Sequence, residues 1–171
     1  YAKEHQRIIF NGNGYSDEWV AEAAKRGLPN LKTMVDAIPA LTTEKAVALF
    51  EKFGVFTRAE LESRAEIQYE TYAKVINIEA KSMIDIASKQ LIPAVIKYTK
   101  ERAETVLAVK GCGVDASVQE EILRKTTTLL SESRNALAKL KELDAQANKH
   151  TRSKKQAKFF NKEVVPAMEA L

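Results

Sequence analysis

TRAELESRAEIQYETYAKVINIEAKSMIDIASKQLIPAVIKYTKERAETVLAVK, residues 57–110, decides the fold of this 171-residue chain. The stretch contains no glycine; the six glycines stand at 12, 14, 27, 54, 111 and 113. Thr57 and Glu60 have the spacing of a capping box, in which the hydroxyl takes the third backbone N–H and the carboxylate reaches back to the cap. Gly111 and Gly113 supply the stop. Between these ends, apolar residues recur at Tyr69, Tyr72, Ala73, Ile76, Ala80, Met83, Ile84, Ala87, Leu91, Ala94, Val95 and Tyr98. That is the helical period and not the strand period. One helix of this extent spans roughly 80 Å at 1.5 Å per residue. Pro93 interrupts it, and its missing donor and ring clash predict a bend just before it. Ile67, Val75, Ile78 and Ile86 lie largely off the main stripe and need cover.

Beyond the glycines, Ser117 and Glu120 read as a second capping box. The helix that follows, about 118–148, carries Val118, Ile122, Leu129, Leu130, Leu137, Leu140 and Leu143 mostly on one face. A last helix, about 155–171, carries Phe159, Phe160, Val164, Met168 and Leu171, with Pro166 inside it and no stop signal before the end. On the other side of the long stretch the elements are short. Ser16 caps a helix with Asp17 and Glu18 in its first turn, stopped at Gly27. Asn30 is placed to cap a helix over 31–37 that Pro39 ends, and Thr42 or Thr43 starts another that runs to Phe53 and stops at Gly54. Gln6 to Phe10 is a β-branched and aromatic run followed by Asn11-Gly12-Asn13-Gly14, a strand-like segment with a turn. The fold class is therefore mainly α: long antiparallel helices, bundle-like, preceded by short helices and a strand-like N-terminal remnant of some larger sheet. The division falls at 1–56 and 57–171. The second long helix is shorter than the first, so an arm of the first projects or packs on something outside the chain.

Hydrophobic residues make up 45% and charged residues 29%, a globular balance. No run approaches the ~18 apolar residues of a membrane span, and no secretory signal opens the chain. One cysteine, Cys112, excludes an internal disulfide and fits a reducing compartment, the cytoplasm by default. The net charge is +4, yet Lys149, Arg152, Lys154, Lys155 and Lys158 hold five positive charges within ten residues free of acid, so the rest of the chain sums to −1. Nucleic-acid faces spread their cations and interleave aromatics, so a solvated basic loop is the better reading.

Chemistry was sought and not found. Gly12 and Gly14 lack the third glycine of a phosphate cradle, and Asp17 and Glu18 would repel a phosphate there. Glu62, Glu66 and Glu70 share a helical face, but neither His5 nor His150 has a glutamate three residues before it, as a di-metal bundle requires. Cys112 has Lys110 close by but no histidine near it in sequence. On its own residues the chain has no catalytic, cofactor-binding or metal-binding set.

Residues 4–19, Glu-His-Gln-Arg-Ile-Ile-Phe-Asn-Gly-Asn-Gly-Tyr-Ser-Asp-Glu-Trp, followed by Arg-Gly-Leu-Pro-Asn-Leu-Lys-Thr-Met-Val-Asp-Ala-Ile-Pro at 26–39, resemble the C-terminal region of bacterial type III glutamine synthetases. Phe53 to Arg64, Lys74 to Ala80, Gln90 to Ala94 and Val164 to Glu169 extend the resemblance over nearly the whole chain, most specifically up to about residue 100. It implies a parent enzyme that joins ammonia to glutamate at the expense of ATP with Mg²⁺ or Mn²⁺. The family's metal-binding glutamates and phosphate-binding arginines lie upstream of this portion, so no catalytic residue is carried over. It further implies packing on the catalytic domain of the same protein and on neighbouring subunits of a ring-shaped homo-oligomer. Translation does not begin at tyrosine, so Tyr1 is read as internal to a longer protein. The rival reading is a stand-alone helical adaptor without catalytic activity.

Overall fold

The computed structural model describes residues 3–171, and among these there is no strand. Three short helices, Asp17–Lys25, Met34–Ala37 and Glu44–Lys52, lead into one continuous helix over 58–111, followed by a return helix, Ser117–Ala147, and a closing helix over 153–169. The strand-like reading of Gln6 to Phe10 is corrected: Gln6–Ile8 is a single 3-10 turn. Among the described residues there is no strand to pair with it, and its carbonyls are bonded locally instead. The Arg26 guanidinium donates to the carbonyl of Ile9 at 2.7 Å and more distantly to those of Gln6 and Arg7, while the Phe10 ring stacks on Trp19 at 4.5 Å.

The Thr57–Glu60 capping box is present. Glu60 N–H donates to the Thr57 hydroxyl, and Thr57 N–H donates to the Glu60 carboxylate at 2.8 Å. These bonds hold the Glu60 carboxyl below the usual carboxylate range. At the far end Gly113 takes φ +72°, the left-handed stop that its sequence position requires. The other capping expectations shift. Thr33 rather than Asn30 caps the second short helix, which continues through Pro39 as a 3-10 turn, Ile38–Thr42. Ser117 is the first residue of its helix, not the cap; its N–H and hydroxyl donate to Asp115, and Glu120 is drawn away to Lys110 and Arg124.

Pro93 does not break the long helix. The turn before it, Ala87–Leu91, widens to a π-helix in which Ile92 N–H reaches back five residues to the Ala87 carbonyl. The closing helix repeats the device: Phe160–Val164 is a π-helix, Val165 N–H bonds to the Phe160 carbonyl, and Pro166 follows. In both places the wider turn makes room for the proline ring and leaves the proline, which has no donor, in the first turn of the next α segment.

The π turn also rotates the faces. Residues advance about 100° each along an α-helix, so one extra residue in a turn moves everything beyond it by roughly a quarter-turn relative to a straight count. The expected stripe holds as far as Ala87 and then fails: Leu91, Ala94 and Tyr98 are exposed. Val95 is the one expected position beyond Ala87 that stays inward, joined there by Ile92, Thr99, Arg102, Val106 and Val109.

The closing helix packs on the proximal half of the long helix, and the return helix packs on the distal half. The proximal part is therefore three helices thick and the distal part is a two-helix hairpin, so the projecting arm is not a bare helix. The main core joins Val35, Ile38, Ala65, Tyr69, Ala73, Ala80, Leu140, Ala147, Ala157, Phe160, Val164 and Ala167. Ala80, Ala147 and Ala157 are fully buried, and side chains this small let three helix backbones approach closely around Phe160.

Candidate functional site

The distal hairpin mixes polar residues into an apolar seam and leaves several large apolar residues exposed. Its seam contains Thr99 and Arg102 from the long helix and Thr126 and Ser133 from the return helix, whereas Leu107, Val118, Ile122 and Leu129 are exposed. Val118, Ile122 and Leu129 were expected to share the buried face with Leu137 and Leu140; only the latter two are buried. The polar seam residues concealed the true line of contact from a count of hydrophobic positions. Beside the seam lies a groove of about 460 Å³, whose walls include Leu91, Ala94, Tyr98, Leu129, Leu130 and Leu171. Every residue lining it is uncharged. A contiguous apolar surface of this kind marks a contact site rather than ordinary surface scatter.

A second uncovered surface lies on the proximal half. Ile67, Val75, Ile78 and Ile86, the residues off the main stripe, are all exposed. Among the charges beside them, Lys74 pairs with Glu70 and Lys89 pairs with Asp85.

Positions tested for chemistry in the sequence stay apart. Glu62, Glu66 and Glu70 are exposed on the long helix, and among the described residues no group of three or more His, Cys, Asp or Glu could hold a metal ion. Cys112 is exposed in the turn between the two long helices. Gly12 and Gly14 lie in a turn closed by Asn13, whose side-chain oxygen accepts from Tyr15 N–H at 3.0 Å. The basic segment is only partly a loop, because the helix Ser153–Phe159 already includes Lys154, Lys155 and Lys158. It is anchored by His150 against Phe159 at 5.1 Å and by Lys154 over the Tyr69 ring at 5.9 Å.

One buried charged group escaped the sequence reading. Asp144, on the return helix, is 9% exposed and accepts a bond from the Asn148 amide, which also donates to Asn77 on the long helix at 3.1 Å. Burial pushes the Asp144 carboxyl above its ordinary range, with Lys81 and the Asn148 amide opposing. The folded state therefore binds a proton more readily than the unfolded chain, and this contribution to stability is lost as pH rises through the raised value. We expect the stability of Asp144→Asn relative to the parent to improve as pH is raised from about 3, below the ordinary aspartate value of about 3.9, to 7. Paired urea titrations at the two pH values check this. A relative stability that is flat or falls with pH would contradict it.

These features are exposed apolar surfaces on a helical scaffold. The description "Glutamine synthetase C-terminal domain" matches residues 1–110, and the chain belongs to that family. It is 36% identical to a glutamine synthetase of Butyrivibrio fibrisolvens over 98% of this chain and 24% of that protein. It is 32% identical to a type-3 glutamine synthetase of Dictyostelium discoideum over 96% of this chain and 23% of that protein. A glutamine synthetase of Bacteroides fragilis is 26% identical over 96% of this chain. The chain spans about a quarter of the length of the curated relatives it matches. The expected resemblance to the glutamine synthetases, including the type III form, is thus borne out, and no helix among the described residues is long and apolar enough to cross a membrane.

Proposed function

We propose that this chain is the non-catalytic helical portion of a cytoplasmic glutamine synthetase that joins ammonia to glutamate using ATP and Mg²⁺ or Mn²⁺. In this reading residues 1–56 adjoin the catalytic region, residues 57–171 form the helical elaboration, and no catalytic, cofactor-binding or metal-binding residue is assigned to either. Its work is mechanical: it holds the catalytic portion of the same protein, or a neighbouring subunit of a homo-oligomer, in place. The observation that supports this reading is the uncharged groove beside the distal hairpin, with Leu91, Tyr98 and Leu129 exposed around it. About three-quarters of the relatives' length lies outside this chain, which supplies a covering partner.

The test is Leu91→Lys with Leu129→Lys in the full-length synthetase. Both side chains are exposed here, so the thermal stability of the 171-residue chain alone should change little, within about 0.5 kcal/mol per site. Assembly mass and glutamate-, ammonia- and ATP-dependent phosphate release of the full-length protein should both fall. Unchanged assembly and activity would overturn the contact role. Phosphate release by the 171-residue chain alone would overturn the non-catalytic assignment.

A further inference from the structure

The uncovered face of the proximal long helix has a symmetry that selects its partner. Counted at helical spacing, the exposed uncharged positions are Ile67, Thr71, Val75, Ile78, Ser82 and Ile86, with Asp85, paired to Lys89, at the edge of the same arc. They form two i, i+4 ridges, 67–71–75 and 78–82–86, within an arc of about 100°, centred about 150° from the buried stripe. The band is about 29 Å long at 1.5 Å per residue. None of the six residues is charged, and the Ser82 hydroxyl donates to the Ile78 carbonyl at 2.8 Å, so covering it strands no donor at that position.

Read in reverse, the band reproduces itself. About its midpoint, between Ile76 and Asn77, Ile67 mirrors Ile86, Thr71 mirrors Ser82 and Val75 mirrors Ile78. Isoleucine meets isoleucine, hydroxyl meets hydroxyl, and the two central β-branched residues meet each other. An isologous two-fold contact needs this property, that residue i touches j while j touches i.

We propose that this face pairs with the same face of a second copy of the chain, the two long helices running antiparallel about a two-fold axis beside Ile76 and Asn77. The proposal deepens the oligomer-contact reading above and rests on it. Six residues a side is few against the 20–30 of a standard interface, so the contact alone gives a dimer that depends on concentration.

The register is tested by oxidative cross-linking of the 171-residue chain in a Cys112→Ser background, which removes the single native thiol. Thr71→Cys and Ser82→Cys are near-isosteric changes at exposed positions. Combined, they place a thiol at 71 of one copy opposite 82 of the other, and the double variant should become a covalent dimer under mild oxidation. Each single variant should not, because like residues of two antiparallel copies lie about 16 Å apart along the axis and disulfides need Cα atoms within about 7 Å. Within one chain, positions 71 and 82 are equally far apart, so the double variant cannot close on itself.

No covalent dimer from the double variant, or equal dimer from either single one, would overturn the pairing. Should a thiol variant fail to fold, sedimentation equilibrium of the unmodified chain against Val75→Lys/Ile78→Lys gives the same decision. A monomer–dimer equilibrium abolished by the two lysines is expected, and a parent that is monomeric at every concentration would overturn the proposal. If the cross-link fails while the full-length protein is still an oligomer, this contact falls and the structural role stands. If the full-length protein is a monomer, the oligomer-contact reading falls with it.

Discussion

Replacing Phe160 with alanine is expected to lower the unfolding free energy by about 3–5 kcal/mol, the range for deleting a fully buried phenylalanine. Phe160 is the largest of the completely buried side chains and opens the π turn of the closing helix. Its neighbours in the core include Ala80, Ala147 and Ala157, fully buried and too short to move into the space. The cavity therefore stays open, which favours the upper part of the range. For a chain of this size the midpoint of thermal unfolding should fall by about 6–20 °C. Phe160→Leu should recover part of the loss, since it returns some of the volume. A fall below about 1 kcal/mol would mean that the closing helix unfolds separately and is not part of the main cooperative unit.

Leu61→Ala is expected to cost about 2–5 kcal/mol with a different signature. Leu61 and Val47 are each 1% exposed, yet neither belongs to the main cluster. Leu61 therefore serves the attachment of the short helices to the start of the long one. Arg58 also grips Glu44 there with two bonds, at 2.7 and 3.0 Å, but an exposed ion pair contributes too little to replace a buried leucine. Hydrogen exchange should show protection lost first over Glu44–Lys52 while the return and closing helices keep theirs. Uniform loss along the chain would show that wrapper and bundle are one unit.

How far the sequence revealed this architecture depended on whether its signals were local. The long helix was legible because Thr57, Glu60 and Gly113 act within one turn of themselves. The family was legible in the N-terminal text. The face of the distal half was not. Once Pro93 is met by a wider turn, a count from Tyr69 lands on Leu91 and Tyr98, which are exposed, and misses Thr99 and Arg102, which are not. On the return helix the threonine and serine in the seam hid the pattern in the same way. Ser117 looked like a cap because nothing in the sequence showed that Asp115 would take its hydroxyl and Lys110 would take Glu120. Asp144 had no signature at all, since its burial comes from two other helices. Of the contact surfaces, the four off-stripe residues of the proximal half were visible, whereas the groove needed three dimensions.

The widened turn at Ala87–Leu91 has a consequence for how chains of this kind can differ in length. It holds one residue of slack: the distance and orientation between the two halves are those of a straight helix one residue shorter. A relative lacking a single residue at 87–91, and carrying a residue other than proline at the position of Pro93, could close the turn to ordinary geometry and keep the contacts on either side. The same deletion anywhere else along 58–111 would swing all side chains beyond it by about 100° and put the wrong ones against the return helix. A one-residue gap in an alignment of these long helices is therefore tolerable at this turn where the proline is also replaced, and ruinous elsewhere. The second such turn, at Phe160–Val164, gives the closing helix the same tolerance.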